Sequence, residues 1–323
     1  MPARQLRDQA AAVRRAAQRA ERVALGLGEL QTWLRDQVTA GLTAAPAGGR
    51  PGAAQAQLAA RMVDAQAPGV ASTLRRLAEL PGSGPDWPAR LLAEYGLLYL
   101  LATAHSRLAA LPSGLAAVVR SRVGYTTARA DVLTYPPVTD RWLVLAVRDL
   151  PDEPIPARRI WLRGGSTGRF ASLLLFAPNG IFRLYADAVL TPGTQVHADL
   201  HFYPGQPPLR ALTGTRWAAP EPVPAPSPAG DAAALLDTWA AALAQDPWLT
   251  TWPALISGTV TLTAGQWHLV DHEGIALPLL PEGENLWPLL AISAGIPVTV
   301  AGEWTPNGLR PLTAWHHNQA VRL

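Results

Sequence analysis

The spacing of apolar residues near the N-terminus predicts one long helix from Arg4 to about Leu42. Its apolar positions recur three or four residues apart, which places them on one face of a helix. These positions are Val23, Leu27, Leu30, Leu34 and Val38. Before residue 20 the only large apolar residues are Leu6 and Val13, so we expect the first turns to project with little to bury.

The same spacing predicts further helices before residue 136, at residues 55–66, 69–80, 86–111 and 113–123. Asp86 can cap the third of these, and Pro88 suits its first turn. Ser113 can cap the last one. We therefore interpret residues 1–136 as an all-helical domain.

The period of the pattern changes to two near Arg141. The run VHADLHFY (196–203) alternates cleanly between apolar and polar positions, as a half-buried strand does. Turn sequences at 166–168 and 178–180 separate the neighbouring apolar runs. Five or six short strands in this space predict a small barrel or sandwich over residues 137–217.

Proline at every second position marks a boundary between residues 218 and 230. Such a segment favours polyproline II and is predicted to be a semi-rigid spacer. A helix capped by Asp231 follows within residues 231–252, and a second strand pattern occupies residues 253–323. The predicted fold class is therefore α+β multidomain, an all-helical N-terminal domain followed by two related small antiparallel β-barrel or sandwich domains.

The two β regions are predicted to be copies of one another. Five residue pairs are each 102 positions apart: Tyr185 with Trp287, Gly193 with Gly295, Val196 with Val298, Phe202 with Trp304 and Pro204 with Pro306. After a two-residue slip, Leu209-Arg210 matches Leu309-Arg310. An unbroken offset indicates duplication. A chance likeness between two β-rich stretches is the alternative.

Composition removes several classes of function. The 323 residues include no cysteine, and all 27 basic residues are arginine. Thiolate catalysis, cysteine-ligated metals and lysine Schiff-base or P-loop chemistry are therefore excluded. The most apolar segment, Leu97 to Ala104, is much shorter than the ~20 residues that span a membrane, and no run resembles a signal peptide. We expect a soluble, cytoplasmic protein.

Charge is distributed unevenly along the chain. Residues 1–130 carry 16 arginines and 8 acidic residues, net +8, whereas residues 220–323 carry 2 and 9, net −7. The asymmetry favours different partners at the two ends, or a basic domain that docks on an acidic one, and compositional drift is the alternative. Arginines on the predicted helices can bind a phosphate backbone without sequence specificity, although a solvated helix face is the simpler interpretation. These arginines are Arg14, Arg15, Arg19, Arg22, Arg75, Arg76, Arg120 and Arg122.

Other polar residues predict no chemistry. His197 and His201 share a strand face, but lie ~13 Å apart there, too far for one metal ion. The glycine-rich segment 164–168 joins two strands, which favours a hairpin turn over a phosphate cradle. Asp152-Glu153 lies in a proline-rich loop, where solvated charge is the usual outcome. The tryptophans are interpreted as core packing rather than as base-stacking platforms. We predict no catalytic residue, metal or cofactor.

Several stretches together resemble a known family. They are GELQTWLRDQVTAGL (28–42), AARMVDAQAPGVASTLRRLAEL (59–80), TDRWLVL (139–145), IWLRGGSTGRFASLLLF (160–176), FYPGQPPLRAL (202–212) and GEWTPNGLRPLTAW (302–315). The resemblance is to the region downstream of the zinc finger in bacterial SWIM zinc finger family proteins, and it covers roughly residues 20 to 316. The cysteine-containing finger itself is missing. It is encoded separately, or this is a branch without a finger, or the start is truncated.

The resemblance implies binding of nucleic acid or protein, which the family is regarded as doing through its finger. It also implies that the gene for this chain lies beside genes for MoxR-type ATPases and von Willebrand A-domain proteins, as is often the case in the family. We therefore expect a non-enzymatic adaptor, with an AAA+ ATPase or a von Willebrand A-domain protein as candidate partner. The alternative is a non-specific nucleic-acid-binding protein that uses the arginine-rich helical face. A hydrolase is a third class, for which the sequence nominates no nucleophile, metal set or acid pair.

Overall fold

The chain forms two compact units, Met1–Thr126 and Thr127–Leu323, which we call the helical unit and the β unit. The computed structural model describes residues 2–42, 52–150, 155–227, 230–281 and 286–323. The Asp152-Glu153 pair lies outside the described residues. None of the described helices is both long and apolar enough to cross a membrane.

The helical unit is built on a long first helix and shorter ones that cover its apolar stripe. The helices are α1 (Pro2–Ala40), α2 (Ala53–Asp64), α3 (Pro68–Leu77), α4 (Trp87–Ser106) and α5 (Ser113–Val123), with a 3-10 turn at Leu108–Ala110. The predicted stripe from Val23 to Leu34 is buried, but Val38 is half exposed. The described side chains of α1 before Val23 are not buried, so this part of α1 contributes little to the core, as predicted.

Gly26 allows α1 to pass close to the end of α2. A Cβ atom at position 26 would lie 2.4 Å from the Cβ atom of Ala65, which is too close for any other residue. A Cβ atom at Gly28 would meet nothing within 4 Å. Gly26 therefore has a packing role, and Gly28 has none.

The predicted helix caps are partly wrong. Asp86 makes no capping hydrogen bond, because its backbone is already helical (φ −91°, ψ 0°) rather than extended. Helix α4 ends at Ser106 and not at residue 111. Ser113 is the first helical residue of α5 and not its cap, since Pro112 occupies the cap position. Asp231 does cap the later helix α7 (Ala232–Gln245), where its carboxylate accepts from the Ala234 amide at 2.8 Å.

Five strands of the β unit close into a barrel, barrel 1, which follows the short helix α6 (Arg129–Val132). The strands are β1 (Val138–Leu150), β2 (Ala157–Gly164), β3 (Phe170–Phe176), β4 (Thr194–Phe202) and β5 (Arg210–Arg216). Their order is β1-β2-β3-β5-β4, and β4 pairs again with β1 to close the barrel. Inward-facing apolar side chains, with Trp142 at the centre, form the core.

The proline-rich segment is not only a spacer. Glu221–Pro222 forms strand β6, which pairs with Thr194 and Gln195 at one edge of β4. Proline is tolerated there because an edge strand can leave one side without amide donors. Pro228 and Ala229, in the same segment, lie outside the described residues.

A second barrel, barrel 2, follows α7. Its strands are β7 (Trp252–Thr263), β8 (Gln266–Val270), β9 (Ala276–Pro278), β10 (Val298–Thr305) and β11 (Gly308–His316), with β12 (Gln319–Arg322) at the edge. β10 pairs with β7 and β11, and a parallel bridge from Leu279 to Leu309 joins β9 to β11. Helix α8 (Trp287–Ser293) connects the third strand to the fourth, where only strands were predicted. In barrel 1 the same connection forms 3-10 turns at Phe182–Leu184 and Ala186–Val189.

Both barrels have the same topology. The first strand pairs with the second and fourth, and the third strand lies parallel to the fifth, which is the five-stranded Greek key of the OB fold. Gly193 and Gly295 precede the fourth strands with φ of 80° and 82°. Phe202 and Trp304 lie on these fourth strands. The structure therefore supports the predicted duplication.

The predicted match of Leu209-Arg210 to Leu309-Arg310 is wrong at the level of strand pairing. Phe202 faces Ala211 across the fourth and fifth strands of barrel 1, whereas Trp304 faces Leu309 in barrel 2. Ala211 therefore occupies the position of Leu309. From Phe202 to Ala211 is nine positions and from Trp304 to Leu309 is five, so the connection in barrel 1 is longer by four residues and not by the predicted two.

The two barrels share a small apolar core. Its buried members are Leu145, Ala146, Trp161, Leu255, Ala301, Leu312 and Trp315. Both barrels belong to one compact unit. The predicted boundaries at residues 136, 217, 230 and 252 remain predictions about which segments fold by themselves.

Candidate functional site

The predicted arginine face is spread over several places of the helical unit. Arg14, Arg15 and Arg22 are exposed on α1, and none of them has an ion pair with a described side chain. Arg75 and Arg76 are exposed in the last turn of α3. Within the described part of the chain, no hydrogen bond or ion pair joins these two sets.

Two other predicted arginines, Arg19 and Arg120, meet around the ring of Tyr125. Their guanidinium carbons lie 4.6 and 5.7 Å from the ring centroid. Arg19 also donates from Nη2 to the carbonyl of Gly124, at 3.0 Å, where α5 ends. Helix C-termini attract cations, so this contact of Arg19 stabilises the packing of α1 against the end of α5. Arg122 lies in the same turn of α5 and is half-buried.

His105 completes this cluster. Its ring stacks on Tyr125, and Nε2 lies 3.2 Å from the Tyr125 hydroxyl oxygen. Burial, followed by the charge of Arg120, lowers the pKa of His105 below its usual value. The ring is therefore neutral near pH 7, and the cluster carries its positive charge on the arginines alone.

The glycine-rich turn at 164–168 contains its own anion. The Asp140 carboxylate accepts from the amides of Arg141, Ser166 and Thr167 at 2.7–3.0 Å and from the Thr167 hydroxyl at 2.7 Å. Burial alone would raise the pKa of Asp140, but these four hydrogen bonds together lower it. The amides that a phosphate would need are therefore occupied, which agrees with the predicted hairpin turn.

His197, Asp199 and His201 share one face of β4, as predicted. Asp199 accepts from the Thr139 hydroxyl and from the Trp217 indole, and these bonds keep its pKa below the usual value. Within the described ranges, no group of three or more histidine, aspartate or glutamate side chains is arranged to hold a metal ion.

A buried carboxylate lies where barrel 2 meets barrel 1. Glu303 on β10 is completely buried. Its oxygens accept from Arg148 and Arg159 at 2.8 Å each and from the Trp161 indole at 3.0 Å, and Arg310 lies 3.5 Å away. Burial favours a raised pKa, yet Arg159, Trp161 and Arg148 outweigh it and lower the pKa of Glu303. Sequence analysis missed this site, although a lone acid in an apolar strand is a signal, since buried acids need partners.

Barrel 1 also carries exposed arginines stacked on aromatic rings. We call this set the arginine–aromatic surface: Arg169, Phe176, Phe202, Tyr203 and Arg210. Phe202 is half-buried and also packs against the core of barrel 1. The Arg210 guanidinium lies 4.3 Å from the Tyr203 ring centroid and 5.9 Å from that of Phe176, and Arg169 lies 4.5 Å from that of Phe202. Both arginines are exposed and have no carboxylate partner in the part of the chain that the structure describes.

Next to this surface is an exposed apolar patch in the connection from β3 to β4. We define the apolar patch as Ile181, Leu184, Tyr185 and Val189. Leu184 is 78 % and Val189 57 % exposed. A shallow pocket of about 150 Å³ lies at the same place and is lined by Ala177, Pro178, Asn179, Ile181, Leu184 and Tyr185. Sequence analysis did not single out this patch.

Comparison with known proteins identifies the helical unit. Residues 18–123 match the family model described as the SWIM-associated four-helix bundle domain. The match confirms the resemblance over that range, and it begins close to where α1 becomes buried. The chain contains no cysteine, so the cysteine ligands of a zinc finger are missing. No curated protein and no solved structure matches the chain.

Proposed function

We propose that the chain is a non-enzymatic adaptor whose exposed surfaces bind partner proteins. The state of its carboxylates supports this. Asp140, Asp199 and Glu303 each accept several hydrogen bonds from their own fold, and the pKa of each is lowered. A general acid needs a raised pKa and access to substrate, so these groups serve structure better than catalysis.

The apolar patch of barrel 1 carries the proposal. Neighbouring large apolar side chains on a surface mark sites of protein interaction more often than isolated ones do. The connection that carries the patch is anchored in the core of barrel 1 by its own residues Phe182 and Leu190. A docked partner would therefore meet a pre-ordered surface. The partner class that we propose is a MoxR-type AAA+ ATPase or a von Willebrand A-domain protein, as the family resemblance implies.

The test is direct binding of the full chain to a MoxR-type ATPase and a von Willebrand A-domain protein from the same genome, measured by analytical ultracentrifugation. Leu184→Ser with Val189→Ser should weaken binding about tenfold or more, because each removes an apolar contact from the interface. Leu262→Ser is the matched control, since Leu262 is exposed on β7 in barrel 2. Failure of both partners to bind at tens of micromolar, or equal binding by patch and control variants, would contradict the proposal.

A second candidate function is non-specific binding of nucleic acid by α1. The observation in its favour is that Arg14, Arg15 and Arg22 are exposed without ion pairs to described side chains. Such binding should be weak, with a Kd of ~10⁻⁴ to 10⁻⁶ M, and should fall steeply with salt.

This candidate is tested by charge reversal on α1. Changing Arg14, Arg15 and Arg22 to Glu should abolish binding of labelled duplex DNA, while Arg19 is left unchanged because it holds the end of α5. The control reverses three other exposed arginines, Arg90, Arg107 and Arg129, and so changes the net charge equally. Equal loss in both variants would mean that only the total charge matters.

A further inference from the structure

We propose that the arginine–aromatic surface of barrel 1 is a binding site for single-stranded nucleic acid, separate from the apolar patch and from α1. The inference does not depend on the adaptor function. It rests on the charge of the surface, its rings, its rigidity and its position on the barrel.

The exposed charges of this surface are those of Arg169 and Arg210, and the Asp140 carboxylate in the turn before Arg169 is buried. No acidic residue occurs between residues 154 and 186 or between 200 and 220, which include β2, β3 and β5. Arg169 and Arg210 have no described carboxylate partner, whereas Arg158 of the same barrel is paired with Asp149. Guanidinium groups without a counter-charge bind phosphates in a forked geometry.

The rings supply a second kind of contact. Phe176 is 42 % exposed, and the Arg210 guanidinium lies 5.9 Å from its ring centroid and 4.3 Å from that of Tyr203. Nucleic-acid bases stack on aromatic rings and on guanidinium planes. A duplex hides the faces of its bases in its own stack, so a surface of this kind selects single strands.

The loop that carries part of the surface is anchored on both sides. The Tyr203 amide donates to the Arg210 carbonyl at 2.9 Å, and the Ser172 amide donates to the Leu209 carbonyl at 2.7 Å. The Leu209 side chain packs against the apolar cores at barrel 2. Because the loop is already held, binding costs little conformational entropy.

The position on the barrel agrees with this ligand. Leu145 and Trp161, on the outer side of β1 and β2, are buried against barrel 2, so that side is closed to ligands. The surface lies instead on β3 and on the loop between β4 and β5, and OB folds use such places to bind oligonucleotides and oligosaccharides. Two arginines without a carboxylate partner among the described residues favour the phosphate-bearing ligand over a neutral sugar.

The experiment is fluorescence anisotropy of the full chain with a labelled 12-nucleotide oligo-dT, a 12-nucleotide mixed RNA and a 12-base-pair duplex at 50 mM salt. Both single strands should bind more tightly than the duplex. Arg169→Ala with Arg210→Ala should weaken single-strand binding about tenfold. Phe176→Leu keeps the charge and removes only the ring, and it should weaken single-strand binding about fivefold or more.

The matched control is Arg183→Ala, an exposed arginine of the same barrel that lies over no described ring. Its affinity should stay within about twofold of the original chain, and the thermal melts of all variants should coincide. Loss of binding only on reversal of Arg14, Arg15 and Arg22 would overturn the proposal in favour of α1. Absence of single-strand binding, or binding of an acidic peptide in its place, would also overturn it. The result for the apolar patch is independent, since Leu184→Ser with Val189→Ser should leave the affinity for nucleic acid unchanged.

Discussion

Replacing Glu303 by glutamine should destabilise the β unit strongly, because this carboxylate is the buried counter-charge of three arginines. Removing one partner of a buried ion pair costs about 3–5 kcal/mol. The three guanidinium side chains keep 20–22 % of their surface exposed, so water compensates for part of the loss. We therefore expect the lower end of the range, ~3 kcal/mol, or a melting temperature lower by ~6–12 °C in a unit of this size.

The pH dependence of this effect follows from the lowered pKa of Glu303. A carboxyl group whose pKa is lower in the folded state stabilises the fold above its unfolded pKa of about 4.3. That stabilisation is lost as the pH falls through the lower, folded-state pKa. The difference between the original chain and Glu303→Gln should therefore be largest near pH 7 and should shrink towards pH 3.

Urea unfolding followed by circular dichroism measures both effects without relying on the fluorescence of Trp161, which itself contacts Glu303. Glu221→Gln is the control, since Glu221 forms an exposed pair with Arg141 at 3.9 Å. Its loss should be below ~1 kcal/mol. If the two variants unfold at the same urea concentration at pH 7, the buried network does not stabilise the unit.

Two further substitutions test close contacts in each unit. Gly26→Val should destabilise the helical unit by ~1–3 kcal/mol, because its Cβ atom would clash with Ala65. Gly28→Ala should stabilise the same unit by up to ~1 kcal/mol, because the site has room for a Cβ atom and alanine favours the helix. Thermal melts of both variants check this. Asp140→Asn should cost the β unit ~1–3 kcal/mol, since an amide nitrogen cannot accept the hydrogen bonds of the 164–168 turn. Because the pKa of Asp140 is lowered, this loss should be complete above about pH 4 and should shrink only as the pH falls through the lower, folded-state pKa. Urea midpoints at pH 7 and pH 3, compared with those of the exposed Asp131→Asn, check this.

Local patterns in the sequence predicted most of the elements. The change from three- and four-residue spacing to alternation marks the change from helices to strands, and Asp231 caps α7 as expected. Helix α8 was missed because seven residues with a proline at the second position are too short for periodicity to distinguish from a strand. The predicted cap at Asp86 was wrong because the backbone there is helical, and the residue type alone does not reveal the backbone conformation.

The sites were harder to predict, because their residues come from distant parts of the chain. Glu303 is 155 residues from Arg148, and Arg19 is 105 residues from its acceptor at Gly124. Local charge patterns group Arg19 with its neighbours on α1, although its contact is structural. The arginine–aromatic surface draws on three separate segments, and the only advance signal is the absence of acidic residues around them.

The contact between the barrels also shows how two copies of one topology came to have different surfaces. Barrel 2 presents Glu303 from its fourth strand, whereas barrel 1 presents Arg148 and Arg159 from its first and second strands. Contacts between different faces of related copies can repeat head to tail. In barrel 1 the position 102 residues before Glu303 is His201, whose Nδ1 lies 2.8 Å from the Tyr135 carbonyl oxygen. Barrel 1 therefore has no carboxylate at this position to pair with the arginines of another copy. The acidic residue on the same face of β4, Asp199, is buried and accepts from Thr139 and Trp217 of its own barrel.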